Sequence, residues 1–137
     1  MNKPTVGITL EDGPWPGAEY RFAWPVGGTV RGETQVVTID ETSKCAVHVE
    51  LAWETEGRGN KDTETCAKIT VHEGALHGQG TFTFPFELPV PPGGPVTFDG
   101  HYIRVRWFVR TVVDIPWAID VKESSAITVL PVYDGEQ

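Results

Sequence analysis

The sequence predicts an all-β fold, a two-sheet antiparallel sandwich of immunoglobulin-like type. Apolar and polar residues alternate through several stretches, most clearly where Ile103, Val105, Trp107, Val109, Thr111 and Val113 share one face of a period-two strand. Clusters of Gly, Pro, Asn, Asp and Ser punctuate the chain at the spacing of short strands. No window holds the 3.6-residue period of a substantial amphipathic helix, and no internal repeat or heptad is present.

Taken in order, the first strand is expected over residues 6–11, stopped by Asp12-Gly13-Pro14, and the second over 18–24, stopped by Pro25-Val26-Gly27-Gly28. The third spans 29–39 up to Asp40-Glu41-Thr42-Ser43. The fourth (44–53) and fifth (65–73) flank residues 54–64, whose charges and glycines read as a polar, mobile hairpin loop. After Glu73-Gly74 a sixth strand covers 78–86, and the stretch from Pro89 to Gly94 leads to the long strand 102–113. On that strand Tyr102, Arg104, Arg106, Phe108, Arg110 and Val112 oppose the apolar face. Pro116 removes a ladder donor, so Asp114-Ile115-Pro116-Trp117 is expected to turn before a last strand over 118–129.

At 137 residues the chain fits one domain, residues 1–137, large enough to bury about two-thirds of its unfolded surface. Its 39% hydrophobic and 22% charged content is globular composition, which sets general disorder aside. A formal charge of −8 argues against duplex nucleic acid or an anionic membrane as the main partner, since both select basic surfaces. No apolar run approaches a membrane span and the first residues hold no signal-like apolar segment, so the expected location is cytoplasmic, without membrane insertion.

Two cysteines are too few for a disulfide framework and have no companion at metal spacing. Strand parity puts Cys45 with Val47, Val49 and Leu51 on a core face, and Cys66 opposite Ala67, Ile69 and Val71, facing water. A native disulfide between them is therefore disfavoured.

The order of motifs carries a family resemblance. Val26-Gly27-Gly28-Thr29-Val30-Arg31-Gly32-Glu33 is similar to the glycine-framed strand of arrestin-like domains, and an alternating strand at residues 46–53 follows. Gly80-Thr81-Phe82-Thr83-Phe84-Pro85-Phe86-Glu87-Leu88-Pro89 resembles that family's Phe-rich strand, and Asp99-Gly100-His101-Tyr102 leads into the long strand as the family pattern does. The whole resembles a single arrestin-type lobe, similar to the retromer arrestin-like subunit and to bacterial sporulation-control proteins. The resemblance implies a non-enzymatic adaptor or scaffold module that docks a protein partner on an open sheet face or an edge strand, with the edge expected at residues 6–11 or 126–129. Self-association into a homodimer is a further expectation of the same kind.

No constellation points to catalysis. There is no nucleophile elbow, and the histidines, His48, His72, His77 and His101, never fall at metal-ligand spacing, although His72 and His77 flank Gly74 and could approach across a turn there. No metal or cofactor is expected. Glu54, Glu56, Asp62 and Glu64 gather without calcium-loop spacing and read as a solvated tip. Tyr102, Arg104, Arg106, Phe108 and Arg110 are the candidate partner-binding residues, because Arg and aromatic side chains dominate interface hot spots. Their simpler reading is cross-strand pairing with carboxylates such as Glu50 or Glu54. Trp15, Trp24 and Trp117 stand beside prolines. Trp15 and Trp24 with residues 54–64 offer the alternative, a carbohydrate-type ligand-binding sandwich, and corner packing is its simpler counterpart.

Overall fold

A computed structural model of the chain describes residues 3–131. Its elements are β1 (Thr5–Leu10), a 3-10 turn (Ala18–Tyr20), β2 (Ala23–Pro25), β3 (Thr29–Thr38), β4 (Thr42–Gly57), β5 (Asn60–Leu76), β6 (Gly80–Pro89), β7 (Phe98–Asp99), β8 (Ile103–Asp114) and β9 (Val121–Leu130). Two sheets result: one ordered β1-β3-β6, the other β2-β9-β8-β4-β5 with β7 paired to the start of β8. All pairs are antiparallel except β2 with β9. The all-β sandwich expected from the alternation is the observed architecture.

Alternation decides what fills the interior. Val30, Val36, Phe86 and Leu88 of the smaller sheet meet Val47, Val49, Leu51, Trp107, Val109 and Val113 of the larger one, all essentially fully buried. Burying each such side chain contributes roughly 1.5–3 kcal/mol against exposure. Trp107 also packs on Trp53, ring centres 5.0 Å apart at a 42° tilt. Gly27, at φ 82°, lets the chain change sheets: Val26 N–H donates to Leu130 O of the larger sheet, and Val90 N–H to Gly28 O beside the smaller one.

Several boundaries differ from the sequence expectation. Residues 18–24 do not form one strand: Gly17 at φ 98° opens a 3-10 turn, and only Ala23–Pro25 is extended. Residues 54–64 are not a loop, because β4 and β5 continue to a two-residue turn with Arg58 at φ 51° and Gly59 at φ 81°. Two consecutive positive φ values match the twist of a hairpin, so the polarity there marks strands exposed to water rather than a break in them. Gly74 forms no turn either; it lies within β5 at φ 119°, paired with Cys45 next to a register shift.

The expected inward face of β8 is buried from Val105 to Val113, but Ile103 at its head is 47% exposed beside the hairpin end. Val112 faces outward and yet is only 8% exposed, flanked by the longer side chains of His48 and Lys122 in register with it. The turn after β8 is present: Ala118 N–H donates to Ile115 O at 3.2 Å.

Cys66 is half-buried instead of water-facing. Leu51 pairs with Ala67 and Ala52 with Thr65, leaving Cys66 as the extra residue of a bulge that packs on the core. Its Sγ–H donates to Leu51 O at 3.3 Å. Both cysteines are free thiols, separated by much of the length of β5.

Candidate interaction surface

The register of the larger sheet determines which side chains share its outer face. β4 and β8 pair without a shift, so even-numbered residues of both point away from the core: Glu50 faces Arg110, Ala52 faces Phe108, Glu54 faces Arg106 and Glu56 faces Arg104. β5 adds Lys68, Thr65, Thr63 and Lys61 to the same rows, and β9 adds Lys122, Ser124 and Ala126. Arg104, Arg106, Phe108 and Arg110 therefore share one surface. Tyr102 lies just before β8, 76% exposed, its ring edge-on to His101 at 4.6 Å and next to the Gly57 end of the hairpin.

Six of the chain's 11 Lys and Arg residues fall on this face: Lys61, Lys68, Arg104, Arg106, Arg110 and Lys122. Its acids are Glu50, Glu54, Glu56, Glu73, Asp99 and Asp114, out of 19 in the chain. The face is thus neutral in formal charge, and the −8 of the chain resides elsewhere. Part of this charge is internally matched. Arg110 holds Glu50 at 2.7 Å, Arg104 holds Asp99 at 2.7 Å and approaches Glu56 at 4.0 Å, and Lys61 approaches Glu54 at 3.8 Å. Cross-strand pairing thus accounts for Arg110 and Arg104. Arg106, Lys68 and Lys122 make no ion pair among the described residues.

Arg106 lies one row from the apolar centre of this face, Phe108; Lys68 lies one row away on β5, beyond Glu50, and Lys122 two rows away beside Val112. Phe108 is half-buried between Ala52 and Ala126, and the Arg110 guanidinium lies 5.5 Å from its ring centre. Sequence parity located the β8 residues, but Lys68, Lys122 and the two alanines became members only through pairing with other strands.

The other candidate groups do not converge. Trp24 is 4% exposed and lies in the core, so it offers no stacking platform. Trp15 lines an open depression of about 300 Å³ with Tyr20, Leu130 and Pro131. Trp117 is fully exposed at the β8–β9 turn. His72 turns inward against Phe84, ring centres 5.2 Å apart, whereas His77 approaches Glu41 at 3.5 Å, so the two imidazoles point to different neighbours. His48 Nδ1 shares a 2.9 Å hydrogen bond with Thr70 Oγ1. Among the described residues no group of three His, Cys, Asp or Glu is placed to hold a metal ion. Burial pushes both thiols above the ordinary range; at Cys66 a hydrogen bond from its own backbone opposes burial and the Glu64 charge adds to it. Neither is poised as a thiolate nucleophile. No helix among the described residues is long and apolar enough to cross a membrane. The β9 segment expected as an edge is covered, since β2 pairs with residues 128–130 and Thr128 N–H donates to Phe22 O. Among the described residues β1 pairs with β3 alone, which makes it an edge of the smaller sheet.

Comparison with known proteins places this architecture. The crystal structure of Spo0M, a sporulation control protein from Bacillus subtilis, superposes with a TM-score of 0.73 at 20% identity, over 97% of this chain and 51% of that one. The chain thus spans about half the length of that protein, and the likeness shows a shared fold. No curated protein sequence matches the chain. A family model described as Arrestin (or S-antigen), N-terminal domain, matches residues 19–136, which is most of the sequence, and the chain belongs to that arrestin family.

Proposed function

We propose that this chain is a non-enzymatic adaptor of arrestin type, a single sandwich domain that docks an acidic segment of a protein partner on the outer face of its larger sheet. The observation that carries this reading is that Arg106, Lys68 and Lys122, none of them in an ion pair among the described residues, share one sheet face with the half-buried Phe108. This face is neutral on a protein of charge −8, so it repels an acidic segment less than the rest of the surface does, and Arg106, Lys68 and Lys122 are its cations that no carboxylate holds among the described residues. Arg106 and Phe108 form the anchor, with Arg104, Arg110 and Tyr102 at its border. The candidate residues run along paired strands rather than lining an enclosed cavity, which suits a protein segment better than a small molecule. Free thiols at Cys45 and Cys66 are consistent with work in the reducing cytoplasm.

The test is capture from the native host with the wild-type domain, with Arg106→Glu and Lys68→Glu together, and with Arg31→Glu as a control on the other sheet. A protein retained by wild type and control, lost by the double variant and released by salt, is the expected result. Retention by all three, or recovery of glycans alone, would reject this surface.

A further inference from the structure

Sheet edges are normally guarded against pairing with other chains, and four of the edges here are guarded. β5 carries Lys61, Asp62, Glu64, Lys68 and Glu73 and is broken by register shifts. β6 carries Pro85, Glu87 and Pro89. β2 is three residues long and ends in Pro25, and the stretch of β9 beyond it holds Lys122 and Glu123. β1 is different. Its sequence from Thr5 to Leu10 contains no charge and no proline, and it runs against β3 from Thr5–Val37 to Leu10–Gly32 without a bulge.

The direction of its backbone groups is determined by two hydrogen bonds. Glu11 N–H donates to Arg31 O at 2.9 Å, and Gly7 O accepts from Thr34 Oγ1 at 3.0 Å. Odd-numbered residues therefore turn their peptide groups to β3, and Val6, Ile8 and Leu10 turn theirs to the open side. No backbone partner meets those groups among the described residues.

We propose that β1 is a self-association edge: β1 of a second copy pairs antiparallel with it about a two-fold axis at Gly7, joining two three-stranded sheets into one. The strand is complementary to itself about that axis. Thr5 lies opposite Thr9 of the second copy, Val6 opposite Ile8, and glycine opposite glycine, so matched threonines and matched aliphatics meet with no charge between them. Val6 and Ile8 are the residues with open peptide groups, which makes these the hydrogen-bonded pairs. Each copy carries −8, so added salt strengthens this association, opposite in sign to docking of an acidic segment at Arg106. β1 and Arg106 lie on different sheets, so mutation separates the two surfaces.

Light scattering over a concentration series on the full chain gives the mass of two copies at high concentration for wild type and Arg106→Glu. Thr5→Lys with Thr9→Lys gives one copy with an unchanged circular dichroism spectrum. Should the lysine variant fail to fold, Gly7→Cys decides: its new side chain meets only the flexible end of Gln35, at 3.2 Å. It forms a disulfide-linked pair under mild oxidation that wild type, with Cys45 and Cys66, does not form. Wild type of one-copy mass throughout, a pair that the folded lysine variant leaves intact, or Gly7→Cys that never cross-links would overturn the proposal.

Discussion

Thr34 of β3 and Thr111 of β8, both fully buried, share a 2.8 Å hydroxyl hydrogen bond that crosses the interior from one sheet to the other. Thr34 also donates to Gly7 O at 3.0 Å, which uses its single proton, so Thr111 donates to Thr34. One short chain of hydrogen bonds thus links β8 through β3 to β1, the strand assigned above to self-association.

Replacing Thr34 by valine strands the Thr111 hydroxyl and removes the side-chain bond to Gly7 O, and should destabilise by about 1–3 kcal/mol. Thr111→Val leaves Thr34 bonded to Gly7 and should lose less. Chemical denaturation of both single variants and the double is the check. A double variant that loses the sum of the two would contradict a shared bond, because coupled residues are non-additive.

The Glu50–Arg110 pair is the most enclosed ion pair among the described residues, with side chains 12% and 25% exposed. Glu50→Ala leaves a partly buried guanidinium with only the Phe108 ring and should destabilise by about 1–3 kcal/mol. The solvent-exposed Arg31–Glu87 pair on the other sheet should contribute at most about 1 kcal/mol. Urea midpoints of Glu50→Ala and Glu87→Ala compared side by side test the ranking, and equal losses would refute it.

Both thiols titrate above the ordinary thiol range in the fold, so the native state keeps its protons where the unfolded chain releases them. By linkage this contribution is fully present below the ordinary thiol pKa and is lost as pH rises through the raised values. Labelling by a thiol reagent at neutral pH should be slow in the native protein and rapid in denaturant. Fast native labelling of Cys66 would disprove its place in the bulge.

Trp117 adopts φ 65°, a left-handed conformation that non-glycine residues adopt at a penalty of roughly 1–2 kcal/mol, while its side chain is wholly exposed. Trp117→Gly removes that strain and sacrifices no burial. Thermal unfolding should show it no less stable than wild type; a marked drop would mean the indole has a packing role.

Gly32 sits where Phe86 crosses β3: an added methyl would come within 2.9 Å of the ring and 2.5 Å of Thr9 O. Gly32→Ala should therefore destabilise by about 1–3 kcal/mol through overpacking. Gly80→Ala, with open space around it, is the control that should change little by the same measure.

The sequence by itself determined the fold class, the inward face of β8 from Val105 to Val113, a turn expected at Asp114 to Trp117 and the family, because alternation and turn chemistry are local properties. It also placed Arg104, Arg106, Phe108 and Arg110 on one face, since parity within a single unbroken strand needs no partner. Parity failed at Cys66 because a bulge opposite Leu51 changes facing, and a bulge is a relation between two strands. The reach of β4 and β5 to the Arg58-Gly59 turn was hidden because exposed strands carry the same polar residues as a loop. Only the tertiary structure decided that Lys68 and Lys122 join the β8 arginines, that β2 covers the end of β9, and that β1 is left open. Which strands neighbour one another depends on contacts distant in sequence, and no residue carries that information alone.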